Sequence, residues 1–159
     1  MSAFVASAPT AAQPGSPADT IGNDGWFPDL LMSDLRGIVR LDGTVTDDRL
    51  RDAVRFAILH VNQQLQGFQD REQAKGTASL QAVSPRELDG KNRNCLLYLR
   101  AVACWAKADL LERYRSLDIT DAGQRRAEDQ TATIDEQRRN TTWAIRDIQS
   151  LPRTVVELI

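Results

Sequence analysis

The sequence predicts an all-α fold: a bundle of about four helices, with long antiparallel helices, a flexible N-terminal tail and an extended C-terminal arm. Three observations carry this. Leu50, Val54, Ala57, Ile58, Val61, Leu65 and Phe68 recur at the three- and four-residue spacing of one helix face. A second long segment, from about Lys91 to Ser116, is uninterrupted by proline or glycine and rich in leucine and alanine. Strand-like alternation is absent before Pro152, and no internal repeat is visible.

The elements follow in order. Residues 1–22 are dominated by Ala, Ser, Pro, Thr and Gly, with Asp19 as the only charge. Such a segment buries too little apolar surface to offset its ordering entropy, so a mobile tail is expected there. The helical domain then spans 23–151. Trp26 and Phe27 mark its start, and Pro28 fixes the backbone for a turn or helix start. "SDLRGIVRL" reads as a short helix with Ser33 as N-cap. Asp42-Gly43 is a turn signal, and Thr46 before Asp47 and Asp48 is a second helix start, with two acids where the helix dipole favours them. That second helix should run about 25 residues.

"SPRE" at 84–87 reads as a capping box with Pro85 in the first helical position, stopped soon after by Asp89-Gly90. The third helix covers about 91–116. A fourth begins near Thr120 and runs to Ser150, with a break expected around Thr131 to Thr133. Pro152 ends it, and residues 152–159 form the C-terminal arm.

Composition narrows the function classes. With 159 residues, 42% hydrophobic and 26% charged, the chain is an ordinary single globular domain. A net charge of −2 argues against a surface built to grip phosphates, although DNA can still pass nearby. No run approaches the length of a membrane span. "MSAFVASAPTAA" lacks the basic start of a secretory signal and reads as untargeted. Cys95 and Cys104 fall on roughly opposite helix faces, about 13 Å apart, which forbids a mutual disulfide and fits a reducing compartment. With one histidine and no Cys-x-x-Cys, no zinc ligand set exists.

Catalysis finds no constellation either. A nucleophilic Ser or Cys needs a base, and the one histidine, His60, lies a helical step from Phe56, as a packing residue would. The acid pairs Glu128-Asp129 and Asp135-Glu136 diverge by about 100° on a helix and read as solvated faces. Phosphate loops and dinucleotide fingerprints are absent. No catalytic, cofactor or metal residue is expected. From residue 121 onward Arg125, Arg126, Arg138, Arg139, Arg146 and Arg153 face Asp121, Glu128, Asp129, Asp135, Glu136, Asp147 and Glu157, an interspersed surface rather than a nucleic-acid stripe.

Self-association has better support. Between Leu96 and Ala106 only Arg100 is charged, and Leu97, Leu99, Val102 and Trp105 go right round the helix. Such a helix is enclosed on all sides, by its own bundle or by a second subunit. Phe56 and Leu59 point more than about 100° away from the Val54–Ile58–Val61 stripe, and Trp143 lies opposite Ile134. Three stray apolar side chains on a small domain predict an apolar patch for assembly. Val155, Val156, Leu158 and Ile159 are too apolar for water and too short for another helix. They either pack on their own bundle or form an arm reaching a neighbouring subunit, and the arm is the expectation.

The chain also resembles a known family. "NDGWFPD" (23–29), "RLDGTVT" (40–46), "ELDG" (87–90), "KADLLERYR" (107–115), "TIDEQRR" (133–139), "WAIRDI" (143–148) and "VELI" (156–159) resemble, in order, the head-completion proteins of tailed bacteriophages called gpL. The resemblance implies a virion structural protein acting after DNA packaging. It implies a ring, usually of twelve subunits, between the portal protein ring and the tail or tail-completion protein, located at the head–tail connector and in the host cytoplasm during assembly. Packaged DNA would pass through without sequence-specific binding, and no membrane is involved. Trp26 and Phe27 would cover one end of the bundle or lean onto the next subunit. A ring-forming small terminase subunit is the alternative, but neither a helix-turn-helix nor a basic reading helix is visible.

Overall fold

A computed structural model describes residues 18–39, 45–115 and 121–153, with the side chains of 114–132 outside that description. Four helices, α1 (Met32–Val39), α2 (Asp47–Ala74), α3 (Arg93–Arg115) and α4 (Asp121–Ile148), form the body. Two minimal antiparallel pairings accompany them: β1 (Thr20–Ile21) with β2 (Leu30–Leu31), and β3 (Glu87–Leu88) with β4 (Lys91–Asn92). The fold is the mostly α bundle expected from the helical spacing.

The helix that is apolar all round is the axis of the bundle. α3 packs along α4 on one side, against α2 on another and against α1 on a third, while α2 and α4 make few contacts with each other. Its Tyr98, Ala101, Val102, Ala103, Ala106 and Leu110 are buried. Alanines at these positions let the neighbouring helices approach closely, and burial of the facing leucines and valines contributes roughly 1.5–3 kcal/mol each. On α2 the predicted stripe, Leu50 to Phe68, is buried throughout. Thr46 caps that helix as expected, its hydroxyl accepting from the Arg49 amide.

Residues 18–22, upstream of Asn23, are already tied to the helices. Asp19 is buried, its carboxylate accepts from the Ser33 amide (2.9 Å) and the Ser33 hydroxyl (2.8 Å), and its carbonyl accepts from Met32 N (2.8 Å). Arg51 donates to the carbonyls of Ala18 and Thr20. Residues 18–22 are therefore held against α1 and α2. Asp19, fourteen residues upstream in sequence, supplies the capping role expected of Ser33, which sits inside α1. Composition cannot reveal a cap borrowed across a chain reversal.

"SPRE" is not helical. Ser84 is extended, and Asp89 (φ 53°) and Gly90 (φ 67°) make the two-residue loop between β3 and β4. Positive φ at both loop positions is the hairpin geometry that Asp-Gly favours. The capping duty falls to Asn92. Its side-chain oxygen accepts from the Asn94 (2.9 Å) and Cys95 (3.3 Å) amides at the head of α3, and its nitrogen donates to the Gln81 and Ser84 carbonyls. α4 runs through Thr131 to Thr133 without the expected break. It ends on Ser150 (φ 56°), with Leu151 N donating to Arg146 O and Ser150 N to Asp147 O, a Schellman termination one turn before Pro152 can act.

Candidate assembly surface

The aromatic pair at the domain entrance is spent inside the subunit. Trp26 is 5% exposed and Phe27 2%. Gly25, at φ 90°, lets the chain reverse so that the Asp24 carboxylate accepts from both the Trp26 and Phe27 amides at 2.9 Å. Phe27 stacks on Tyr98 with centroids 5.1 Å apart and meets Trp26 edge-on at 4.8 Å. The Trp26 indole donates to Thr77 O, and Trp26 O accepts from Leu80 N, which pins the chain after α2. These two rings cover the end of the bundle from within the subunit.

A polar ring lies under them. Asn23 donates to the Tyr98 hydroxyl (2.9 Å), Tyr98 donates to Asn62 (2.6 Å), and Asn62 donates back to Asn23 (2.9 Å). Gln69 donates to the Asp24 carboxylate. Burial pushes the Tyr98 hydroxyl far above its ordinary pKa, with Asp24 adding in the same direction and the Asn23 bond opposing. Helical periodicity does not reveal this network, because its members lie on three separate segments. Its one legible trace is the pair Asn62 and Gln69, seven apart on α2 and bordering the apolar stripe.

The two remaining tryptophans are partly occupied as well. Trp105 is half-buried and stacks on His60 at 5.0 Å. Burial and the nearby Arg138 charge hold the His60 pKa below its ordinary value. Both Arg139 and Arg153 place a guanidinium 5.1 Å from the Trp143 ring. Arg153 also pairs with Asp147, and that hydrogen bond, opposed by burial and aided by Arg93 and Arg100, lowers the carboxyl pKa.

What stays uncovered is the outer face of α2. Phe56 is 50% exposed and Leu59 65%, and Phe56 has the Arg113 guanidinium 6.0 Å away as its cover. Ile38 on α1, Leu88 at the hairpin and Leu151 after α4 are also exposed. Val155, Val156, Leu158 and Ile159 lie outside the described residues. Among the described residues, no helix is long and apolar enough to cross a membrane, and no group of three His, Cys, Asp or Glu side chains could hold a metal.

A family model described as phage head completion protein (GPL) matches residues 21–159. The chain belongs to this family. It is also 35% identical, over 147 residues, to the head completion/stabilization protein of Escherichia phage P2, covering 92% of this chain and 87% of that protein. No solved structure matches. This head completion protein is thus a bacteriophage protein with a structural role in completing the head. Its sequence blocks map onto joints of the fold. "NDGWFPD" is the aromatic clasp and "ELDG" the β3–β4 hairpin. "KADLLERYR" and "TIDEQRR" are tied across α3 and α4 by Arg138–Glu112 at 2.6 Å, and "WAIRDI" carries Trp143 and Asp147. Most of "RLDGTVT" and all of "VELI" fall outside the described residues.

Proposed function

We propose that this head completion protein closes the DNA-filled head as one subunit of a ring adaptor between portal and tail. The observation that carries the reading is the outward pair Phe56 and Leu59, on the side of α2 opposite its core stripe. A subunit of a cyclic ring touches two neighbours through two different faces, so it needs apolar surface away from its own core. Phe56 and Leu59 supply one such face. Ile38 and Leu88, on other elements, are candidates for the second or for portal and tail contacts.

The ring has about twelve subunits in this reading, as the resemblance implies. Its partners are the portal ring, the tail or tail-completion protein, and further copies of itself. The protein works in the virion at the head–tail connector and meets the filled head in the host cytoplasm. In this reading its role is structural and not catalytic: His60 stacks on Trp105, and Asp109 and Asp34 pair with Arg113 and Lys91. The mildly acidic balance suits a collar through which DNA slides.

Sedimentation of the purified protein with and without its portal ring tests the proposal. Co-sedimentation at a fixed subunit ratio is expected. Failure to associate, together with tight sequence-specific DNA binding in a low-salt gel shift, would replace the adaptor by a DNA-recognition ring.

A further inference from the structure

A trough of about 430 Å³ runs along α3, with Leu96, Leu99 and Ala103 as its floor. Ile38 of α1, 47% exposed, forms one wall, and Gln137 and Asn140 of α4 form the other. Arg100 and Lys107 stand along it, so an apolar floor carries basic flanks. At about 100° per residue these α3 positions lie half a turn from Tyr98 and Trp105, which meet Asn62 and His60 of α2. The trough therefore opens on the side of the subunit opposite α2.

The outer face of α2 has the complementary shape. Phe56 and Leu59 project there, about half a turn from the core stripe, with Asp48 and Asp52 toward the helix start and Gln63 toward its end. Arg49 lies at the margin of this face.

We propose that the outer face of α2 in one copy docks in the α3 trough of the next copy, with the two helices antiparallel. This joint presupposes the ring reading above. Spacing selects its register. Along α2 the outer positions 52, 56, 59 and 63 step by four, three and four residues. Along α3 the trough positions 107, 103, 100 and 96 step by the same amounts in the reverse direction. Each stretch rises about 16 Å.

In this register Asp52 comes to Lys107 and Phe56 to Ala103, whose small side chain leaves room for the ring. Leu59 comes to Leu99 and the methylene stem of Arg100. Asp52 is half-exposed and held by Arg113 at 3.5 Å, so its carboxylate can accept from Lys107 as well. A parallel register would instead carry Asp52 to Leu96 and bury its charge at the apolar end of the floor. Because the knob and the trough lie on opposite sides of one subunit, every copy offers both. That is the head-to-tail contact from which rings are built.

The test uses the full-length protein with its portal ring, in a Cys95→Ser/Cys104→Ser background carrying Leu59→Cys and Arg100→Cys. A bismaleimide spanning the roughly 8–10 Å between packed helices should give a ladder of covalent dimers and higher multimers. Asp52→Lys or Lys107→Asp should each cut the ladder about tenfold or more, and the two changes together should restore it. A dimer from the variant with Leu59→Cys but not Arg100→Cys would overturn the proposal, by placing two α2 faces together. So would portal-bound protein that gives no ladder, which leaves the ring itself standing. A parent chain that fails to co-sediment with the portal ring would instead sink the ring reading, and this joint with it.

Discussion

Asn23 and Tyr98, 75 positions apart, are joined by a 2.9 Å hydrogen bond that closes a three-membered ring of side chains with Asn62. This contact ties the domain entrance to the axial helix and to α2 at one point. Each group in it is satisfied by the other two, so no partner can be removed neutrally.

Tyr98→Phe keeps the ring that stacks on Phe27 and removes the shared hydroxyl. It leaves Asn23 and Asn62 each short of a partner and should cost about 1–3 kcal/mol. Urea unfolding followed by circular dichroism should show a lower midpoint with an unchanged slope.

The helices were legible in the sequence because periodicity reports a buried face directly. The stripe from Leu50 to Phe68 and the all-round apolar α3 both found the partners their patterns demanded. What escaped was long-range and polar. Asp19 caps a helix across a chain reversal, and Asn92 holds three segments together. Asp19 has no local signature, because the amide it satisfies lies fourteen residues on; Asn92 is a local N-cap, but its ties to the Gln81 and Ser84 carbonyls have none. The outward Phe56 and Leu59 were readable as strays from their stripe. The fate of Trp26 and Phe27 was not, since a surface aromatic and a clasp aromatic look alike in sequence.

Phe27→Ala and Phe56→Ser should therefore separate folding from assembly. The first empties a fully buried site stacked on Tyr98 and should cost roughly 3–5 kcal/mol. The second changes a half-exposed position and should stay within about 0.5 kcal/mol of the parent. Thermal melts of the two variants side by side check this. A severe loss for Phe56→Ser would mean that Phe56 belongs to the subunit core.

Asp19→Ala should lower stability by about 1 kcal/mol, since the Ser33 amide loses its acceptor. Deleting residues 1–22 should cost more than this single substitution, because it also removes β1 and the carbonyl partner of Arg51. Equal stability of the parent and the deletion, measured by urea titration, would place the boundary at Asn23.

The pH response should be centred on His60. Its pKa is ordinary, 6.5, in the unfolded chain and lower in the fold, through burial and the charge of Arg138. Below 6.5 the unfolded chain binds more protons, so stability falls as pH drops from 6.5 through the folded value. Above 6.5 this group contributes no slope. Asp147, lowered from 3.8, adds a loss of the same sign only in strong acid. Melting temperatures from about pH 8 to about pH 5 should decline below 6.5 in the parent and stay flatter in His60→Gln.

The central claim, that this protein completes a filled head through the outer face of α2, is tested most directly on heads packaged without it. Purified protein is added to such heads, and the packaged DNA is then challenged with nuclease. The parent should restore protection and allow tails to join, while Phe56→Ser/Leu59→Ser, folded and equally helical, should do neither. Full protection by the double variant would contradict the assigned face, and no protection by the parent would contradict the function.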